Sequence, residues 1–458
     1  MLNCFISQSS RSIPITSILP AQWPSWLKQQ SQMAQQWIQA INFTVKPGNY
    51  LLLPGEEGQL QQVLLLRHDA LDFWSFGLLP SVLPEGHYHI EGFCDEELQC
   101  RFGLAWGLGA YEFTLYKAST RPLAQLLLTS EKQTTLLMAK VKAIYRVRDL
   151  INTPTNDMGP AELVENVFQL GKKFNATVTQ IVGDALLKAN YPAIYTVGKA
   201  SCRAPRLVDL RWGDPKAPKL TLVGKGVCFD SGGLDLKSAA NMLLMKKDMG
   251  GAANAIGLAE MIMSFKLPLR LRLLIPAVEN LIAGNAYKPG DIIKTRQGLS
   301  IEIGNTDAEG RLILADALSE ADSEKPELLI DFATLTGSAR AAVGTEISAF
   351  FTDQEALAGD LIRHSQTEQD PMWRLPLYKP YQKLLESKFA HLNNSGSSAF
   401  AGAITAALFL RNFVQPDSTW LHIDFNAYNV SSRPGRPEGG EAMSILTLFS
   451  YLTEKYLH

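Results

Sequence analysis

Between residues 220 and 413, short apolar runs of strand length alternate with stretches of helical periodicity, and no other feature of the sequence restricts the fold as much. Residues 220–223 and 269–278 read as buried strands, with a helix over 248–265 between them. The segment DIIKTRQGLSIEIGN holds two apolar runs around Gln297-Gly298, the pattern of a hairpin. Residues 310–321 read as a helix, 328–335 as another buried strand and 402–413 as a buried helix. Strands that alternate with helices build an α/β layer structure, here a mixed central sheet flanked by helices.

A chain of 458 residues exceeds the roughly 250–300 at which one core stops growing, so two domains are expected. In the first part, LLLPGEEGQLQQVLLLRH reads as strand, turn, strand. Leu136, Leu137, Ala139, Val141, Ile144, Tyr145 and Val147 then recur at helical spacing until Pro154 stops the run. This gives a smaller N-terminal α/β domain over 1–130, a linking helix over 131–153 and a larger C-terminal α/β domain over 154–458. SSRPGRPEGGEA is the one Pro/Gly-rich loop of note.

A net charge of -2 provides no bulk attraction to nucleic acid or anionic lipid. No stretch reaches the roughly 20 apolar residues of a membrane helix, and the N-terminus lacks the pattern of a secretory signal. The five cysteines, Cys4, Cys94, Cys100, Cys202 and Cys228, form no CxxC pair and suit reduced thiols in a cytoplasm.

Ligands of α/β sheets bind beyond the carboxyl ends of the strands, which directs attention to the loops there. The run ending at Val223 leads into GKGVCFDSGG with Lys225 and Asp230; the run ending near Ile303 leads into GNTDAEGRL with Asp307, Glu309 and Arg311. Asp248 stands just before the central helix in LLMKKDMGGAA. If NTDAEGR is extended, Asp307 and Glu309 point the same way, and carboxylates so close repel unless a proton or cation separates them. Each taken alone would more often be a helix cap. Together, four carboxylates offer the hard oxygen donors of a dinuclear site with ions about 3.5–4 Å apart. None of the seven histidines lies in these segments, and neither HExxH nor GxSxG occurs, so carboxylate, carbonyl and amine ligands for Mn²⁺, Mg²⁺ or Zn²⁺ are expected. Lys225, between Gly224 and Gly226, does not fit a phosphate loop: the pattern requires Ser or Thr directly after the lysine, where Gly226 stands before Val227, and the upstream glycine is missing. Beside two cations its pKa would fall, making it a candidate amine ligand.

GKGVCFDSGGLDLKSAANMLLMKKDMGGAA, ENLIAGNAYKPGD, NTDAEGRLILADAL, ATLTGSAR and AGAITAALFLRNF closely resemble the leucyl (cytosol) aminopeptidase family, over a span from about Arg148 to the C-terminal region. The N-terminal region carries no matching motif. The resemblance implies a metal-dependent aminopeptidase that takes one residue at a time from peptides with a free N-terminus. One metal would be held by Asp230, Asp307 and Glu309 with the Asp307 carbonyl, and a second by Lys225, Asp230, Asp248 and Glu309. The two ions per subunit would be Mn²⁺ or Zn²⁺, with Mg²⁺ or Co²⁺ also accepted. Lys237 would polarise the scissile carbonyl, and Arg311 would hold a bicarbonate acting as general base. Met245 and Asn305 would line the pocket of the first side chain, with Thr334, Leu335 and Gly337 along the substrate backbone. A homohexamer is also implied.

Cys228 stands in the metal loop where relatives commonly carry other small residues, and PEGGEAMSILTL departs from the usual ending of the family's final loop. Some relatives bind DNA, against which the balanced charge argues. A catalytically dead scaffold would be at odds with a full set of ligand residue types.

Overall fold

The computed structural model describes residues 2–457 apart from 93–95, 120–122 and 129, so Cys94 lies outside the described residues. The chain forms two compact units, one of residues 1–145 with 431–438, the other of 146–430 with 439–458. The division falls inside a helix, Glu131–Asn152. None of the described helices is long and apolar enough to cross a membrane.

The first unit is built on a six-stranded sheet of β1 (Phe5–Ile6), β2 (Ile13–Ile18), β3 (Tyr50–Pro54), β4 (Leu60–Leu66), β5 (Gly86–Glu91) and β6 (Ala124–Leu127), in the order β1-β6-β5-β2-β4-β3. All neighbours are parallel except β3 and β4, the antiparallel pair expected around the Gly-containing turn. Ile18, Leu51, Leu53, Leu64 and Leu66 bury one face against Trp26, Ala34 and Ile38 of two short helices. Residues 431–438 of the Pro/Gly-rich stretch belong to this unit, with the Arg436 guanidinium 4.2 Å from the Trp74 ring centre.

The second unit contains β7 (Thr177–Val182), β8 (Arg206–Trp212), β9 (Lys219–Gly224), β10 (Gly226–Asp230), β11 (Arg270–Asn280), β12 (Ile292–Lys294), β13 (Ser300–Glu302), β14 (Leu328–Ala333), β15 (Ser348–Phe351), β16 (Met372–Arg374), β17 (Leu392–Asn393) and β18 (Trp420–Asp424). Its main sheet runs β16-β15-β18-β14-β9-β11-β8-β7, with β10 also on β11. The centre, β18-β14-β9-β11, is parallel, whereas β8 runs antiparallel to both β11 and β7, and β15 to β18: the mixed sheet expected. Central parallel strands are covered on both faces and so read as continuous apolar runs; β14 and nearly all of β9 and β11 are buried. Helices Pro160–Phe174, Gly250–Ser264 and Ile445–Leu457 form one covering layer, and Pro192–Gly198, Gly310–Asp322 and Gly402–Arg411 the other. The hairpin expected around Gln297-Gly298 is β12–β13, with Gly298 at φ 94°.

Charged residues inside these layers are paired. Glu260, on the helix Gly250–Ser264, meets Arg146 at 2.5 Å and Lys173 at 2.6 Å. Arg272 of β11 meets Asp209 and Glu320, each at 2.7 Å. Asp331 of β14 accepts from Trp420 Nε1 at 2.7 Å and lies 2.6 Å from His422 Nδ1, both on β18.

Candidate active site

The site begins with a break in a strand. β9 and β10 pair with β11 in the same register, but the ladder lapses at Lys225, opposite Pro276, which has no N–H to give. The Lys225 carbonyl accepts from Ala252 N at 2.8 Å instead, and its N–H donates to Phe332 O at 2.9 Å. The side chain is 2% exposed. Its Nζ donates to Thr334 O at 3.0 Å and lies 2.9 Å from Asp248 Oδ2 and 3.0 Å from Glu309 Oε1. Gly310 is what admits this lysine, because a Cβ there would stand 2.5 Å from Lys225 Cε.

Asp230 ends β10. Its Oδ1 accepts from Gly232 N at 2.9 Å and Asn280 Nδ2 at 2.8 Å, which leaves Oδ2 facing Lys237 Nζ at 2.7 Å. Lys237 Nζ also donates to Asp307 Oδ1. The loop between Asp230 and Lys237 turns back through Gly232 at φ +89° and Gly233 at φ +67°, a conformation that favours glycine. Thr306 Oγ1 ties it down by donating to Gly232 O at 2.6 Å, and Thr306 N donates to Asp235 Oδ2 at 2.7 Å.

The segment 305–309 is not extended, which corrects the expectation for NTDAEGR. It turns at Thr306 and Asp307, where the Asn305 side chain accepts from Asp307 N at 2.7 Å, and Glu309 already has helical angles, φ -74° and ψ -36°. Asp307 and Glu309 converge because the chain curls round the start of the helix Gly310–Asp322. One oxygen from each of Asp230, Asp307 and Glu309 falls within 4.8 Å of the others. Asp248 stands just ahead of the helix Gly250–Ser264, as expected, on a 3₁₀ turn, Met245–Met249. Thr334 Oγ1 donates to its Oδ1 at 2.8 Å.

All twelve expected positions, Lys225, Asp230, Lys237, Met245, Asp248, Asn305, Asp307, Glu309, Arg311, Thr334, Leu335 and Gly337, line one cleft of about 740 Å³. Burial, then repulsion from Asp230, pushes the Glu309 carboxyl up to about 8 and that of Asp307 to about 6. Burial alone would lower Lys225 and Lys237, but neighbouring carboxylates outweigh it and raise both, so they stand as ammonium ions. The buried Glu309 Oε2 accepts no hydrogen bond, and Asp248 Oδ2 is met only by the Lys225 ammonium. A carboxylate cluster so desolvated, with acceptors left over, fits divalent cations. Arg311 donates from Nη1 to Asn394 O at 2.7 Å while its buried Nε has no partner, which leaves a donor for a small oxyanion.

Two residues absent from the sequence reading shape this cleft. Asp424, at the end of β18, accepts from Leu335 N at 3.0 Å and Thr336 N at 3.2 Å, fixing the loop after β14. The same strand-end rule that found Asp230 would have found it in LHID. Asn394 accepts from Gly304 N at 2.8 Å and donates to Asn305 O at 2.7 Å, and HLNNSG gives no signal for that. Cys228 is buried, and burial pushes its thiol well up, away from the reactive thiolate.

Residues 145–449 match the catalytic-domain model of the cytosol aminopeptidase family. Residues 13–129, where no motif was recognisable, match the M17 aminopeptidase N-terminal domain. The structure superimposes on a cytosol aminopeptidase from Coxiella burnetii with a TM-score of 0.96 at 50% identity, over 99% of this chain and 100% of that one. It is also similar to the bottromycin maturation enzyme BotP in complex with Mn, with a TM-score of 0.87 at 27% identity, over 97% of this chain and 99% of that one. Matched over both its parts, the chain belongs to the cytosol aminopeptidase family and is a peptide hydrolase of the metalloaminopeptidase class.

Proposed function

We propose that the protein is a leucyl-aminopeptidase-type enzyme that releases the first residue of peptides with a free N-terminus, using two divalent cations per subunit. The observation that carries the reading is the convergence of Asp230, Asp307 and Glu309 within 4.8 Å, beside the unsatisfied Oε2 of Glu309. Asp230, Asp307, Glu309 and the Asp307 carbonyl would hold one ion; Lys225, Asp230, Asp248 and Glu309 would hold the other. The BotP complex supports Mn²⁺ as an occupant, Zn²⁺ is the alternative, and Mg²⁺ or Co²⁺ would substitute. When bound, the pair supplies Lewis-acid polarisation and a water acidic enough to attack at neutral pH.

The chain's own residues do the rest. Lys225 must give up its proton to become a ligand, which couples loading to pH. Lys237, held protonated between Asp230 and Asp307, swings to the scissile carbonyl and stabilises the oxyanion. Arg311 holds bicarbonate as general base through its free Nε. Thr334, Leu335 and Gly337 align the substrate backbone, and Met245 and Asn305 border the first side chain. Only the first residue carries a free α-amine to engage the site, so internal peptide bonds are not cut. Catalysis resides in residues 154–458 after the linking helix 131–153, and the enzyme acts as a cytoplasmic homohexamer.

The test is chromophore release from leucine, alanine, arginine and N-acetyl-leucine anilides by protein stripped of metal and refilled with Mn²⁺, Co²⁺, Mg²⁺ or Zn²⁺. Metal-restored turnover of the free-amine substrates alone is expected. Turnover of the acetylated substrate, or undiminished turnover by Asp307→Asn, would refute the reading.

A further inference from the structure

Two cations of the cleft have no role in this chemistry. Lys247, on the 3₁₀ turn after Met245, is 3% exposed and lines the cleft. Arg340 reaches the same cleft from the helix Gly337–Val343, its Nη2 folded back to 3.5 Å from where a Cβ on Gly337 would stand. Among the described residues, neither Lys247 Nζ nor the Arg340 guanidinium has a hydrogen-bond acceptor or an ion-pair partner. They are close enough to repel one another.

The nearby acids are already engaged. Asp248 faces Lys225 and Thr334 Oγ1. Both oxygens of Asp424 are taken by Leu335 N, Thr336 N and Thr336 Oγ1. Asp230 and Asp307 share Lys237. Lys247 is buried and Arg340 half-buried without a direct ion-pair partner, while the nearby carboxylates are engaged elsewhere, and an anionic group delivered by a ligand would give both a partner.

We propose that Lys247 and Arg340 form a carboxylate-recognising subsite that selects an acidic side chain on the substrate's first residue. The placement favours that residue: Lys247 follows by two positions Met245, assigned to the first side chain, and Arg340 leans over Gly337, assigned to the substrate backbone, in the same cleft. The inference rests on the aminopeptidase reading. The free carboxylate of a dipeptide has the same chemistry, and substrate choice separates the two sources.

The experiment compares kcat/KM for glutamyl, glutaminyl and leucyl anilides, and for Leu-Gly against Leu-glycinamide, with Mn²⁺-loaded wild type, Lys247→Met, Arg340→Gln and Arg340→Lys. Wild type should favour glutamyl over the isosteric glutaminyl substrate by about tenfold or more, the size of a charge-assisted hydrogen bond. Lys247→Met and Arg340→Gln should bring that ratio close to one, and Arg340→Lys should keep part of it. A ratio near one in wild type, or a ratio unchanged in both neutral variants, overturns the subsite. Collapse of the Leu-Gly to Leu-glycinamide ratio instead would retain carboxylate recognition and overturn its assignment to the first residue. Leucyl-anilide turnover by wild type reports separately on the aminopeptidase reading. Should that be absent, calorimetric binding of free glutamate against glutamine decides: a preference lost in Lys247→Met supports the subsite, and equal binding overturns it.

Discussion

Gly310→Ala isolates the contribution of Lys225 without touching a proposed ligand. The new methyl would stand 2.5 Å from Lys225 Cε and 2.7 Å from its Cδ and Nζ, where carbon atoms prefer about 3.5–4.0 Å. The lysine must therefore withdraw by about 1 Å, and its Nζ, with oxygens at 2.9 to 3.0 Å, has no equivalent position to occupy. A shift of that size in a catalytic array costs roughly 100-fold. The backbone is not harmed: residue 310 opens a helix, where alanine is preferred to glycine by up to about 1 kcal/mol. The expected outcome is a drop in kcat/KM on leucyl anilide of about 100-fold with weakened Mn²⁺ affinity, while Tm stays within about 3 °C. Wild-type turnover and metal affinity in this variant would show that Lys225 is not held where the site requires it.

Three further outcomes follow from other features. Asp331→Ala strips the partner from Trp420 Nε1 and His422 Nδ1 in the sheet centre, at about 3–5 kcal/mol, or roughly 6–10 °C in Tm by calorimetry. Burial alone would lower His422, but Asp331 outweighs it and raises the imidazole above its ordinary 6.5. Such a group adds stability that is complete below its unfolded pKa and fades as pH rises through the folded one. The Tm gap between wild type and His422→Gln should therefore narrow as pH rises above the ordinary imidazole value of 6.5. Finally, Glu309 at about 8 and Asp307 at about 6 must lose their protons to hold a cation, so Mn²⁺ affinity should climb through that interval with protons released on binding, and a flat titration profile would contradict the assignment.

The legible part of the fold was the part with strong periodicity. The central strands were visible because both faces are buried, and their edges shifted by only a few residues: 269–278 became Arg270–Asn280, and 328–335 became Leu328–Ala333. The site's residue types were readable from strand-end position and family likeness, yet local geometry was not. Alternation suggested an extended Asp307–Glu309 pair, whereas the Asn305 side chain and the helix start make a turn that reaches the same convergence. Lys247 escaped notice because a lysine beside another lysine reads as solvated, whereas tertiary closure buries it in a cleft lined by residues distant in sequence, such as Thr334 and Arg340. Asn394 and Arg340 belong to loops and helix ends whose reach is set only by tertiary closure.

The central parallel strands have a consequence for the order of synthesis. Lys225, Asp230, Asp248, Asp307, Glu309 and Thr334 have all left the ribosome before β18 is made, yet β18 supplies His422 to Asp331 and Asp424 to the Leu335–Thr336 loop. A nascent chain that stops short of Trp420 thus carries every proposed ligand but leaves β14 with an open edge and a buried carboxylate without its partner. The proposed site is therefore expected to reach its final geometry only when the last central strand docks against β14.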